Sequence, residues 1–183
     1  MTIFLSVLIG LAVLIGLLLF FAVIIKKDYA IEREITINKP ISEVFAYVKL
    51  MRNQEKYNVW VRRDPNVKIV YQGVDGTEGF TSSWEGNKQA GKGEQEIKEI
   101  NDGKAIHIEI RFEKPFQNVG QTYLFTDAIS PTATQLKYQM VGTNKFPMNL
   151  MNIIIDGLLG KDLEKSLANV KQNLEPVNQI SNQ

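Results

Sequence analysis

The sequence contains no cysteine and only one histidine, His107, among its 183 residues. Without cysteine the chain forms no disulfide and has no thiol nucleophile or thiolate metal ligand, although this does not fix its compartment. A zinc site of the usual histidine and cysteine type, or a Ser-His-Asp triad, would have to depend on His107. Alternation around His107 places it on the polar face of a predicted strand with Glu109 and Arg111. We therefore expect a solvent-facing histidine, no metal site, no cofactor and no catalytic residue.

An excess of one charge is also missing. Lysine and arginine number 21 and aspartate and glutamate number 20, for a formal net charge of +1. A protein that binds nucleic acid needs a strongly basic surface to neutralise phosphates. We therefore expect no nucleic-acid partner.

A long apolar run occupies residues 3–25, which contain no charged side chain. A helix of this length extends about 35 Å, since each residue adds about 1.5 Å, and a membrane hydrocarbon core is about 30 Å thick. A cleaved signal peptide would need a basic start and a small-residue cleavage site, and the run lacks both. We predict a retained transmembrane helix. Lys26 and Lys27 follow it directly, and the positive-inside rule then predicts a single-pass protein with its soluble domain in the cytoplasm.

Strand and helix patterns follow the apolar run in a simple order. Residues 29–37 alternate as a half-buried strand, and two short helical stretches come next. Six further strand patterns follow: VKIVYQ, FTSSWE, KGEQEIKEI, KAIHIEIRFE, VGQTYLFTD and TQLKYQMVG. One long amphipathic helix is predicted at residues 147–174. Gly157 and Gly160 lie inside this helix and indicate either a close approach to the sheet or a ligand, or a tolerated packing contact.

Four segments carry a resemblance to a known superfamily: YAIEREITINKPISEVFAYV, YNVWVRRDPNVKIVYQG, GKGEQEIKEI and FPMNLMN. They resemble the SRPBCC superfamily, which includes START-like lipid-binding domains, pollen-allergen-type ligand binders and polyketide cyclase/dehydrase-like proteins. The resemblance covers residues 28–175 and is similar in particular to the bacterial branch with an N-terminal membrane helix. It implies an α+β helix-grip fold, in which a curved antiparallel sheet of about seven strands surrounds a long C-terminal helix. The predicted organisation is a transmembrane helix (3–25), this domain (28–175) and a polar tail (176–183).

The resemblance also implies an apolar cavity between the sheet and the C-terminal helix. Apolar residues alone do not distinguish a lined cavity from a filled core, so both interpretations remain open at this stage. The candidate lining residues are Phe80, Trp84, Ile108, Ile110, Phe112, Tyr123, Tyr138, Met140, Met151, Ile155 and Leu159. The candidate inward-facing polar residues are Arg33, Gln95, Gln121, Tyr123 and Tyr138.

Other charged and glycine-rich patterns favour ordinary surface roles. Glu94, Glu96 and Glu99 alternate with lysines and indicate a solvated sheet face rather than an acid-base pair. Glycines at positions 73, 76 and 79 lack the phosphate-binding Gly-x-x-x-x-Gly-Lys pattern, so a strand connection is favoured. A basic cluster fits a solvated surface, with contact to anionic lipid headgroups as the alternative. It comprises Lys49, Arg52, Lys56, Arg62 and Arg63.

Three functions are compatible with these patterns. The first is a membrane-anchored protein that binds a hydrophobic or lipid-like small molecule without chemical change. The second is a cyclase/dehydrase-like enzyme, for which the sequence provides no evident acid-base pair. The third is a membrane-tethered interaction module without a ligand. The expected partners are therefore a hydrophobic small molecule or lipid, and the membrane.

Overall fold

The computed structural model describes residues 2–175, so the predicted polar tail (176–183) lies outside the described residues. The first element is a helix, α1 (Thr2–Ile24), that is long and apolar enough to cross a membrane. Almost all of its side chains are exposed, and Ala22 near its end is the exception. An apolar helix with so little of its surface buried in the protein has the form expected of a membrane span.

Seven strands form one antiparallel sheet in the order β1-β7-β6-β5-β4-β3-β2. The strands are β1 (Asp28–Ile37), β2 (Lys68–Gln72), β3 (Thr81–Glu85), β4 (Lys92–Asn101), β5 (Ala105–Lys114), β6 (Asn118–Ser130) and β7 (Ala133–Thr143). Inward and outward side chains alternate along them because one face is buried and the other meets solvent. The predicted seven-stranded helix-grip fold is confirmed.

Helices lie between β1 and β2 and after β7. The first group contains α2 (Ile41–Lys49), α3 (Gln54–Tyr57) and two short 3-10 helices, Met51–Asn53 and Val61–Arg63. After β7 come a 3-10 helix (Met148–Ile153), called the 3-10 segment below, and the long helix α4 (Ile155–Leu174). The predicted helix start at residue 147 was therefore too early. The side chains of Asn149 and Asn152 donate hydrogen bonds to backbone carbonyls at the end of α1 and in the residues that follow it. Sequence periodicity does not reveal such long-range contacts.

The strand register defines two ends of the sheet. Asp28 pairs with Thr143, and Lys92 pairs with both Glu85 and Lys114. These residues therefore lie at the same end, called the proximal end, and the chain passes directly from α1 into it. The opposite, distal end carries the β4–β5 hairpin and the start of α2.

The distal half of the interior is filled by apolar side chains. Helix α2 and the turn after it place Val44, Val48 and Met51 over the sheet, and α4 adds residues from its middle and end. The fully buried partners are Ile37, Ile97, Ile106, Ile108, Leu124, Leu136, Leu163, Leu167 and Val170. Helix α2 and the turn after it thus close the distal half of the space under the sheet.

The two glycines of α4, Gly157 and Gly160, differ in their surroundings, so replacing each with alanine is expected to change stability differently. A Cβ at Gly157 would meet nothing within 4 Å, whereas one at Gly160 would lie 2.2 Å from Arg33 Nη2. Gly157→Ala is expected to stabilise the protein by up to ~1 kcal/mol through helix propensity. Gly160→Ala gains the same propensity but displaces Arg33 from Asp156 and Glu164, so it is expected to lower the melting temperature relative to Gly157→Ala. Thermal unfolding followed by circular dichroism measures both; equal melting temperatures would contradict the assigned close approach.

Candidate functional site

A cavity of about 280 Å³ lies in the proximal half of the interior, between the sheet and α4. Its sheet wall consists of side chains from β1, β2, β3, β4, β5 and β7. Its opposite wall includes Leu159 of α4, and α3 with the stretch between α3 and β2 forms one side. The lining residues are Tyr29, Gln54, Asn58, Trp60, Val61, Arg63, Val67, Ile69, Ser82, Trp84, Gln89, Ala90, Gln95, Ile110, Phe112, Lys114, Pro115, Tyr138, Met140 and Leu159.

Two aromatic rings form one wall of the cavity. Trp84 and Phe112 meet edge to face, with ring centroids 5.8 Å apart. Trp84 Nε1 donates a hydrogen bond to the Ala90 carbonyl oxygen at 3.0 Å, which fixes the indole against the β3–β4 loop. An edge-to-face pair held by such a bond provides a rigid apolar surface, because neither ring can rotate without losing contacts.

A small set of buried amides supplies the polar part of the wall. Gln95 Nε2 donates to Gln54 Oε1 at 2.9 Å, and Asn58 Nδ2 donates to the same oxygen at 3.3 Å. Tyr138 also lines this space, and burial raises the pKa of its hydroxyl, so the hydroxyl stays protonated at neutral pH. A mostly apolar wall with a few fixed polar groups is the usual composition of a small-molecule site.

The cavity reaches the proximal end of the sheet. Gln89 and Ala90 belong to the β3–β4 loop, and Lys114 and Pro115 to the β5–β6 turn, and both connections lie at that end. Arg63 borders the same region and binds Asp162 of α4, with Nη2 and Oδ2 2.5 Å apart. The loops around the cavity therefore face the side of the domain from which α1 emerges.

A second, more open cleft of about 330 Å³ lies at the junction of α1 and the domain. Its lining includes Ile25, Asn152, Ile153 and Ile155. Tyr29 lines both this cleft and the inner cavity. A single side chain thus contributes to the wall of each space.

The structure brings several of the predicted lining residues together and separates the others. Trp84, Ile110, Phe112, Tyr138, Met140 and Leu159 line the cavity. Phe80 and Ile108 instead lie in the filled distal core, because α2 and the turn after it cover that half of the sheet. Met151 is exposed in the 3-10 segment, and Ile155 borders the junction cleft, because this segment binds the end of α1 and does not continue the helix α4.

Tyr123 lies on the outer face of the sheet, contrary to the expectation. It stacks on His107 with ring centroids 4.6 Å apart, and Gln121 on the same face lies 2.7 Å from His107 Nε2. The pairing of β5 with β6 is the reason, since Ile108 pairs with Thr122 and His107 with Tyr123. The isoleucine face of β5 points inward and therefore turns Tyr123 outward.

The remaining predicted polar residues lie on the inner face of the sheet, but not all of them line the cavity. Gln95 and Tyr138 reach the cavity. Arg33 binds Asp156 and Glu164 of α4, with its Nη2 3.0 Å from Asp156 Oδ2, and lies outside the cavity.

Sequence reasoning missed the side of the cavity formed by Gln54, Asn58 and Trp60. These residues belong to short helical turns whose apolar periodicity is too brief to interpret. The spacing of four between Gln54 and Asn58 was an available signal, because it places two amides on one side of a helical turn.

The acidic surface cluster lies away from the cavity, whereas Arg63 of the predicted basic cluster is part of the cavity lining. Arg111 binds Glu94, Glu96 and Glu109 on the outer sheet face. Hydrogen bonds to Arg111 lower the pKa of the Glu94 and Glu109 carboxyls, and hydrogen bonds to Lys98 and then Arg111 lower the pKa of the Glu96 carboxyl. These groups are ionised at neutral pH and lie on the wrong face to donate protons into the cavity. In the predicted basic cluster, Lys49 faces Asp102 at the distal end, which argues against headgroup contact there.

Gly93 of β4 supports the aromatic wall and yields a second matched prediction. A Cβ there would lie 2.5 Å from both the Arg111 carbonyl oxygen and Trp84 Cη2, whereas one at Gly120 of β6 would have ordinary contacts at 3.8 and 3.9 Å. Gly93→Ala is expected to destabilise the protein by about 1–3 kcal/mol through overpacking, and Gly120→Ala is not. Chemical denaturation measures both variants; equal midpoints would contradict the proposed crowding at Trp84.

Comparisons with known proteins agree with this architecture. Residues 29–175 match the family described as polyketide cyclase / dehydrase and lipid transport. A search of curated proteins finds no match. Protein CV1439 from Chromobacterium violaceum is similar in structure, with a TM-score of 0.58 at 14% identity over 80% of this chain and 97% of that chain.

Two further solved structures are similar. Hypothetical protein jhp0584 from Helicobacter pylori has a TM-score of 0.60 at 11% identity, covering 81% of this chain and 89% of that chain. The di-domain ARO/CYC BexL from the BE-7585A biosynthetic pathway has a TM-score of 0.61 at 15% identity, over 82% of this chain and 48% of that chain. At these identities the likenesses show the fold alone, whereas the family match spans most of the sequence. The chain therefore belongs to the polyketide cyclase / dehydrase and lipid transport family.

Proposed function

We propose that this protein is a single-pass membrane protein that binds a compact apolar molecule non-covalently in the cavity between its sheet and α4. The observation that carries the proposal is the apolar cavity at the proximal end, with a rigid aromatic wall and a few buried amides. Burial of ligand surface, at about 25 cal/mol per Å² before the costs of association, would drive binding. The amides and the Tyr138 hydroxyl would orient one polar end of the ligand.

The cavity volume limits the size of the ligand. At about 30 Å³ per water-sized group, the cavity has room for roughly nine such groups. Known small-molecule sites range from roughly 300 to 1,000 Å³, so this cavity is slightly smaller than the lower limit. A short acyl chain or a small ring system fits this space, whereas a whole two-chain lipid does not.

The membrane part of the proposal is supported by α1 and its contacts. The helix has the length and composition to cross a bilayer, and Lys26 and Lys27 favour a cytoplasmic domain. The buried side chain of Asn149 binds the carbonyl oxygens of Ala22 and Ile25 at the helix end. A segment that the folded domain binds in this way has a structural role beyond targeting, which favours a retained anchor over a cleaved signal.

A photoreactive short-chain fatty acid carrying a diazirine tests ligand binding on the full chain in liposomes. After illumination, peptide mass spectrometry is expected to locate adducts on peptides containing Trp84, Phe112 or Tyr138. An excess of the unmodified acid is expected to remove these adducts, because both molecules compete for one cavity. Adducts confined to α1 and the membrane junction would contradict the proposal and favour a ligand-free interaction module.

A second candidate function is a cyclase/dehydrase-like enzyme, and the buried Tyr138 in the cavity wall is the observation that favours it. Burial raises the pKa of its hydroxyl, so the hydroxyl could donate a hydrogen bond or a proton to a substrate carbonyl. Turnover of a short polyketone, abolished by Tyr138→Phe and unaffected by Tyr123→Phe on the outer face, would support this function. Equal turnover by both variants would contradict a role for Tyr138.

A further inference from the structure

The structure exposes a group of apolar side chains around the 3-10 segment. Elsewhere in residues 26–175, large exposed apolar side chains occur singly or in pairs along the chain. Within residues 146–158 they are concentrated: Phe146, Met148, Met151, Ile153, Ile154 and Leu158. A concentrated apolar patch on a protein surface usually marks a place where water is replaced by a partner or a membrane.

The 3-10 segment is attached directly to the end of α1. Asn149 Nδ2 donates to the carbonyl oxygens of Ala22 and Ile25 at 2.6 and 2.8 Å, and Asn149 is 0% exposed. Asn152 Nδ2 donates to the carbonyl oxygens of Lys26 and Lys27, both at 2.9 Å. Ala22 lies within the last turn of α1, so the 3-10 segment reaches the depth of that turn.

The charge pattern around the segment agrees with a position at a membrane surface. Residues 144–158 contain one basic side chain, Lys145, and one acidic side chain, Asp156, whose charge is paired with Arg33 of β1. Lys26 and Lys27 follow α1 at the same junction. Lysines at the rim of an apolar element can keep their ammonium groups in the headgroup layer while their stems contact apolar surface.

We propose that the 3-10 segment and the first turn of α4 enter the surface layer of the bilayer as a second membrane contact beside α1. This proposal rests on the proposed membrane anchoring by α1. The two contacts together hold the domain against the bilayer with its proximal end, and therefore the loops around the cavity, facing the lipid. Phe116, 72% exposed in the β5–β6 turn, lies at the same end.

Single cysteines test the proposal cleanly because the natural chain has none. Met148→Cys and Ile154→Cys in the full chain carry an environment-sensitive nitrobenzoxadiazole label in phosphatidylcholine and phosphatidylglycerol liposomes. Ile129→Cys is the matched control, since Ile129 is 56% exposed in the distal β6–β7 hairpin and Ile154 is 51% exposed. Val13→Cys in α1 reports on the span itself.

Labels at positions 148 and 154 are expected to show blue-shifted emission, quenching by nitroxide-bearing lipids and several-fold weaker quenching by iodide than the label at position 129. If the labels at positions 148 and 154 show the same emission and quenching as the label at position 129, while the label at position 13 reports a lipid environment, the surface contact is overturned. The proposed anchoring by α1 is then unaffected. Iodide quenching at position 13 as strong as at position 129 would overturn the anchoring, and this proposal with it. The use of two positions prevents one perturbed variant from deciding the result.

Discussion

Replacing Ile69 with tryptophan is expected to weaken binding of the photoreactive fatty acid by about tenfold or more. Ile69 lies on β2 and lines the cavity, so a larger side chain there occupies space that the ligand needs. Excluding roughly 60 Å² of ligand surface would lose about 1.5 kcal/mol at ~25 cal/mol per Å², and 1.4 kcal/mol corresponds to about a tenfold change in Kd. The concentration dependence of adduct formation at peptides containing Trp84 or Phe112 measures the change.

Val70→Trp is the matched control for this variant. Val70 is the next residue on the same strand, and it is 66% exposed on the opposite face of the sheet. The same substitution there adds the same side chain to the same edge strand without entering the cavity, so binding is expected to stay unchanged. Equal affinities for the two variants would place the ligand outside the cavity and contradict the proposed function.

Asn149→Ala is expected to loosen the junction between α1 and the domain. The side-chain amide of Asn149 is the donor to the carbonyl oxygens of Ala22 and Ile25, and its own Oδ1 has no hydrogen-bond partner among residues 2–175. Leaving a buried polar group unpaired costs about 1–3 kcal/mol. Hydrogen exchange of backbone amides in residues 22–28 and 148–153 is therefore expected to accelerate by roughly tenfold or more.

Two further variants distinguish loss of the contact between Asn149 and α1 from general destabilisation of the protein. Asn149→Asp keeps the shape but replaces the amide donor with a carboxyl group beside two carbonyl oxygens, so it is expected to loosen the junction at least as much. Asn173→Ala at the far end of α4 removes a bond to the Tyr47 hydroxyl and is expected to leave residues 22–28 unchanged. Unchanged exchange in residues 22–28 of Asn149→Ala would show that the amide does not hold α1 in place.

The alternating strands and the amphipathic stripe of α4 could be predicted because their periods repeat over many residues. The same repetition assigns Trp84, Phe112, Tyr138 and Met140 to the inner face of the sheet, where the structure places them in the cavity lining. Tyr123 was misplaced because GQTYLFTD has polar and apolar side chains on both alternating sets, so the pattern does not define an inner face. Only pairing with β5 turns Thr122 and Leu124 inward.

Contacts between distant segments determine where the long helix begins. They also determine the positions of Phe80, Ile108, Met151 and Ile155. Residues on α2 decide which half of the interior is filled, and their distance in sequence from β5 hides that relation. Asn149 and Asn152 interrupt the predicted helix because they bind the end of α1 and the residues after it, at sequence separations from 124 to 127. A local pattern contains no information about such partners.

The sequence by itself determined the apolar first helix, the order of strands and helices, and the absence of thiol chemistry, because each depends on composition or on a short repeating period. Only the tertiary structure decided where the interior is hollow, which end of the sheet it faces and how α1 is joined to the domain. Those features arise from the packing of α2, α3 and the 3-10 segment against residues distant in sequence. A cavity remains where the side chains do not fill the volume that the backbone encloses. Both volumes are defined only in the folded chain.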